Sequence, residues 1–102
     1  MNDKNQYIVT IFLPKQLDEE FFLLIPEHRA HIQTLMIKGI IRTYALAMDR
    51  TKLWTTIAAA TKTEVVEILE TFPIMKFITE YSIEELAFHE TVALRFPQMS
   101  MN

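Results

Sequence analysis

The sequence predicts an α+β sandwich in which a four-stranded antiparallel sheet carries two helices on one face. Extended and helical runs follow one another in the order βαββαβ, and two helices can cover only one side of such a sheet. The first strand is nevertheless apolar on both sides, and the second carries a large, partly polar set on its outward side, which predicts that a second sheet covers the remaining face.

From Tyr7 to Leu13 the chain reads Tyr-Ile-Val-Thr-Ile-Phe-Leu, β-branched and aromatic and closed by Pro14, as a strand buried on both faces would. Acidic Asp18, Glu19 and Glu20 then stand where a helix N-terminus favours them. Phe21, Leu24, Ile25, His28, Ile32 and Leu35 follow at helical steps. Pro26 predicts a kink, or two segments with Pro26 opening the second. Gly39, the only glycine, is the expected C-cap.

Ile40 to Met48 and Leu53 to Ala60 read as strands joined across the polar group Asp49-Arg50-Thr51-Lys52, a hairpin spacing. Thr61-Lys62-Thr63-Glu64 has the Thr-x-x-Glu capping pattern, and Val65, Ile68, Leu69 and Phe72 continue a helix until Pro73 stops it. Phe77 to Phe88 returns to an extended pattern and supplies the fourth strand. The expected fold is thus the ferredoxin-like sandwich, as a single domain over residues 1–102 with a core over 7–89 and a tail over 90–102.

On the second strand, strict alternation puts Ile41, Thr43, Ala45 and Ala47 on one side and Ile40, Arg42, Tyr44 and Leu46 on the other. The latter set is expected to point away from the helices, into an interior shared with an identical subunit whose sheet faces the first. A homodimer, or a higher homo-oligomer, is therefore the expected state.

Composition narrows the partners. The net charge of −3 comes from 13 acids and 10 bases scattered along the chain, with no basic stripe for a phosphate backbone, so nucleic acid is not an expected partner. With no cysteine, disulfides, Cys-based zinc and thiol catalysis are excluded. No apolar run reaches the roughly 18 residues of a membrane-spanning helix, so no membrane partner is expected. The polar start, Met1 to Gln6, lacks the apolar stretch of a secretory signal, and a cytoplasmic location is expected.

With these elements in place, the chain resembles the muconolactone isomerase-like branch of the dimeric α+β barrel proteins. The resemblance runs from about Tyr7 to His89. It is carried by Leu13-Pro14, by Glu27-His28-Arg29, by Gly39-Ile40-Ile41-Arg42 and by Phe72-Pro73-Ile74-Met75-Lys76-Phe77. The chain departs from the family at Thr43, Ala45 and Leu46, where further polar and aromatic residues are usual, and at Lys76, where a second proline is common. The resemblance implies a cofactor-independent isomerase that shifts a double bond in a small carboxylated lactone and assembles beyond the dimer.

Such a proton shift needs a base, donors for the charge that develops on oxygen, and a cation for the carboxylate. Glu27 or His28 is the expected catalytic base. His31 shares a helical face with Glu27, and His28 falls on the apolar stripe. Arg42 is the expected carboxylate anchor, because a guanidinium fork grips a carboxylate through two parallel hydrogen bonds. Tyr44, Trp54 and Tyr81 would wall a flat ligand. The plainer roles are a surface Glu27–His31 contact, a packing histidine at 28, an intersubunit salt bridge from Arg42 to Glu80 or Glu84, and aromatics that only pack.

Nothing fixes the direction of His89 relative to His28 and His31, so no metal site is expected. One glycine cannot build a phosphate loop, and Ser82 and Ser100 lack a nucleophile-elbow context. The alternatives to the isomerase are a non-catalytic homo-oligomeric ligand-binding or assembly module, in which Glu27, His28 and Arg42 satisfy one another, and a cofactor-free monooxygenase.

Overall fold

A computed structural model describes residues 4–90; the sequence's tail from Thr91 onward lies outside the described residues. In chain order the elements are β1 (Asn5–Phe12), α1 (Glu19–Leu23), α2 (Ile25–Ile37), β2 (Ile41–Leu46), β3 (Lys52–Ala59), α3 (Lys62–Leu69), a 3₁₀ helix (Pro73–Phe77) and β4 (Glu80–Glu85). The sheet has the order β2-β3-β1-β4 with every neighbour antiparallel. A four-stranded antiparallel sheet with three helices of this order is compatible with the ferredoxin-like sandwich.

Along β1, buried Tyr7, Val9 and Ile11 alternate with half-buried Ile8, Thr10 and Phe12. The buried set joins Leu53, Ile57 and Ala59 of β3 and the helical residues Phe21, Ile32, Leu35, Val65 and Leu69 in one core. The helices therefore lie on that side. Register places Ile8, Thr10 and Phe12 beside Thr56, Trp54 and Lys52 on the opposite, open face, so β1 is fully covered on one side only.

The first helix divides where proline requires. Asp18 caps α1, its carboxylate accepting from the Phe21 amide at 3.1 Å, while Leu24 closes α1 and opens α2 with Pro26 in the first turn. α2 ends in a Schellman motif: the Ile40 amide donates to the Leu35 carbonyl at 2.9 Å and the Gly39 amide to Met36 at 3.0 Å. Gly39 holds φ at 79°, and a Cβ there would meet nothing within 4 Å, so the demand on this position is conformational and not steric. Gly39→Ala is expected to lower stability by about 1 kcal/mol, measured as a shifted urea midpoint with an unchanged slope.

α3 carries its capping pattern in a shifted form. Thr61 Oγ1 accepts from the Glu64 amide at 3.1 Å, but the Glu64 carboxylate reaches back one residue further, accepting from the Ala60 amide at 2.7 Å. The helix ends at Leu69, before the expected Phe72. Thr71 turns its hydroxyl onto the Ile68 carbonyl at 2.6 Å, which satisfies an end-of-helix acceptor.

The fourth strand is also shorter than its pattern suggests, starting at Glu80 and not at Phe77, and ending at Glu85. Pro73 starts a 3₁₀ turn instead of merely stopping α3, and its three-residue period brings Ile74 and Phe77 to the same side. Ile74 is 1% exposed, and the Phe77 ring meets Phe21 edge-on with centroids 5.5 Å apart. Packing of those two side chains overrides the extended preference of the segment.

The second strand carries the main correction. Ile41 faces Ile57, yet Thr43 faces Thr56, so Arg42 and Thr43 together oppose a single residue in a β-bulge. Beyond the bulge every side chain changes sides relative to simple alternation. Tyr44 and Leu46 fall opposite Thr55 and Leu53 on the helix side, while Thr43 and Ala45 fall on the open face beside Thr56 and Trp54.

Candidate functional site

The bulge brings together two of the sequence-predicted site residues. His28, on the inward stripe of α2, is 3% exposed, and its Nε2 lies 2.6 Å from the Tyr44 hydroxyl on β2. The imidazole also meets the Phe72 ring edge-on at 5.5 Å between centroids, so aromatic and apolar groups surround it. Burial holds the His28 pKa down at about 4, and the neighbouring charges of His31 and Arg29 push in the same direction. His28 is consequently neutral at physiological pH. Burial also raises the Tyr44 phenol well above its ordinary value, with the Arg29 charge opposing, so the phenol keeps its proton.

His28 Nδ1 is buried and has no hydrogen-bond partner. In a neutral ring one nitrogen donates and the other accepts, so either assignment to the Tyr44 bond leaves Nδ1 with an unused proton or an unused lone pair. A buried orphan of this kind is unfavourable by about 1–3 kcal/mol. The pair thus combines a desolvated, unprotonated imidazole with a protonated phenol, which is the state a general base and a hydrogen-bond donor require.

Arg29, which the sequence presents only within the Glu27-His28-Arg29 segment and without a role of its own, is adjacent to His28 in the chain. It is exposed, and its charge acts on both members of the pair.

The other predicted site residues go elsewhere. Glu27 is exposed at the start of α2 and makes no hydrogen bond or ion pair with any described residue, His31 included. His31 Nε2 lies 2.7 Å from Thr71 Oγ1, whose own proton is committed to Ile68; His31 is therefore the donor, tying α2 to the end of α3. Arg42 is exposed in the bulge, not two residues from Tyr44 on a common face. Trp54, 37% exposed, lies on the open face between Thr10 and Ala45, with the sheet separating it from His28. Tyr81, 38% exposed, belongs to the far edge strand β4.

Three threonines organise the sheet around the bulge, and the pattern reading assigned them no role. Thr55 Oγ1 donates to the Thr43 carbonyl at 2.8 Å from one face, and the Thr43 and Thr56 hydroxyls meet at 2.8 Å on the other. These bonds hold β2 in the register that turns Tyr44 toward α2. Among the described residues no group of three His, Asp or Glu side chains is placed to hold a metal ion, and no helix is long and apolar enough to cross a membrane. No protein-family model matches the sequence, and no curated protein matches it.

Proposed function

We propose that this chain is a cofactor-independent isomerase of the muconolactone isomerase-like type, moving a proton within a small carboxylated lactone or enol. One observation carries the reading: the 2.6 Å contact between a neutral, buried His28 and a protonated Tyr44. With Nε2–H donating to the Tyr44 oxygen, the unpartnered Nδ1 of His28 is the base that removes the carbon-bound proton and returns it at the new position, the Tyr44 O–H stabilises charge on the substrate oxygen, and Arg29 receives the carboxylate. Because His28 is 3% exposed, the contact between α2 and β2 opens to admit the substrate. Two subunits in the ferredoxin-like dimeric barrel arrangement cover each other's open face, with Trp54, Ile8 and Phe12 in the interface.

An ultraviolet assay with muconolactone tests the reading. His28→Gln and Tyr44→Phe are expected to lower kcat by roughly 100-fold or more, and Glu27→Gln to leave it within a few-fold, with the mass on a sizing column unchanged. Absence of turnover by the wild-type protein at high concentration rejects muconolactone as the substrate. A second reading, a non-catalytic homo-oligomeric module, is favoured by how completely Phe72 and the sheet enclose His28. Under it the same variants change stability alone.

A further inference from the structure

The two edges of the sheet differ in a way that the isomerase reading does not use. β4 carries Glu80, Glu84 and Glu85 among its six residues, so a second strand of the same kind approaching it is repelled. Along β2 from Thr43 to Leu46, and on through Ala47 to Met48, there is no charged side chain. Thr43, Ala45 and Leu46 are exposed, and Leu46 and Met48 stand 47% and 90% exposed. Beyond the bulge at Arg42 and Thr43 the ladder is regular, and an uncharged, exposed edge of this kind is a template for strand addition.

Register identifies which main-chain groups of β2 are free. The Ala47 amide donates to the Lys52 carbonyl at 2.9 Å, which makes Ala47 and Lys52 a bonded pair. Alternation along the antiparallel ladder makes Ala45 with Trp54, and Thr43 with Thr56, the next bonded pairs. The opposite edge of β3 agrees: Leu13 bonds Thr51 at 2.9 Å, so Leu53, Thr55 and Ile57 bond β1. Tyr44 and Leu46 therefore direct their N–H and C=O groups outward from the sheet.

We propose that β2 pairs with β2 of a second copy of this chain, antiparallel about a two-fold axis through Ala45. The strand is complementary to itself in this register. Tyr44 lies opposite the partner's Leu46, so the two residues with outward main-chain groups exchange both bonds, and an aromatic ring packs on an aliphatic side chain. Ala45 meets its own copy with no bulk to clash. Arg42 falls opposite the partner's Met48, which keeps the two like charges at opposite ends of the seam. The two sheets become one continuous sheet, and each copy places Leu46 beside the other's His28–Tyr44 pair. This seam is separate from the open-face dimer and does not depend on the isomerase activity.

Amide hydrogen exchange and mass measurement test it. In the concentrated wild-type protein the Tyr44 and Leu46 amides are expected to exchange at least tenfold more slowly than the outward amides of Tyr81 and Ile83 on β4, and to lose that protection on dilution. Leu46→Pro removes an outward N–H without removing a bond to β3, and Leu46→Lys places cations on both sides of the seam. Either variant, folded by circular dichroism, is expected to halve the assembly mass measured by light scattering. Equal exchange at the two edges, or a wild-type mass that both variants retain, overturns the proposal. So does a mass lost in Trp54→Glu alone, because that result assigns all association to the open face.

Discussion

Between pH 6.5, the ordinary value for histidine, and pH 4, the protein is expected to lose about 3 kcal/mol of stability through His28 alone. Burial depresses the folded-state pKa to about 4, with the charges of His31 and Arg29 adding to the effect. Above pH 6.5 neither the folded nor the unfolded chain protonates this ring, and the contribution is fully present. As pH falls through the window the unfolded chain takes up a proton that the folded chain refuses, so stability drops with pH. Below about 4 both states are protonated and the loss levels off.

Urea unfolding at half-unit pH steps reads this slope. His28→Gln keeps a hydrogen-bonding group near Tyr44 but does not titrate, and is expected to flatten most of the dependence in that window. An unchanged slope in the variant would show that another group controls acid stability. Asp49 is depressed too, chiefly by the hydrogen bond from the Thr51 hydroxyl and then by that from the Thr51 amide, and its contribution is lost as pH falls through the ordinary carboxylate value, at the acid end of the scan.

Ile57→Ala is expected to destabilise the fold by about 3–4 kcal/mol. Ile57 has 0% exposure and sits on β3 opposite both Tyr7 of β1 and Ile41 of β2, so its side chain fills the core where three strands meet. Truncation leaves a cavity that the paired strands cannot close without breaking ladder hydrogen bonds. Against a total stability of about 5–15 kcal/mol, the loss is expected to lower Tm by well over 10 °C. Leu23→Ala is the internal control, because that side chain is 71% exposed and its removal is expected to shift Tm by a degree or two at most. A similar drop in both variants would contradict this account of the core.

The placement of the candidate site was legible only in part. His28 on an apolar stripe was readable, because the three- and four-residue steps from Phe21 to Leu35 define one face of a helix. Its partner was not. Simple alternation puts Tyr44 with Arg42 on the side away from the helices, whereas the bulge at Arg42 and Thr43 inserts one extra residue and reverses every position after it. Similarly, Glu27 and His31 share a helical face, yet His31 bonds Thr71, a residue brought close only by the packing of α3 against the sheet.

What the sequence determined by itself were the order of the strands and main helices and several of the local signals that bound them: the acids that open α1, Pro26 in the first turn of α2, Gly39 at its close, Thr61 as the cap of α3 and the hairpin through Asp49. Each of these is a contest among groups within about five residues, and the backbone's need to satisfy its own donors and acceptors resolves it locally. Tertiary structure alone decided the bulge, the 3₁₀ turn at Pro73, the separation of Trp54 from His28 and the joining of His28 to Tyr44. The two faces of a strand differ only in what packs against them. One inserted residue exchanges them, and contacts among Thr43, Thr55 and Thr56, on two strands, are what hold it in place.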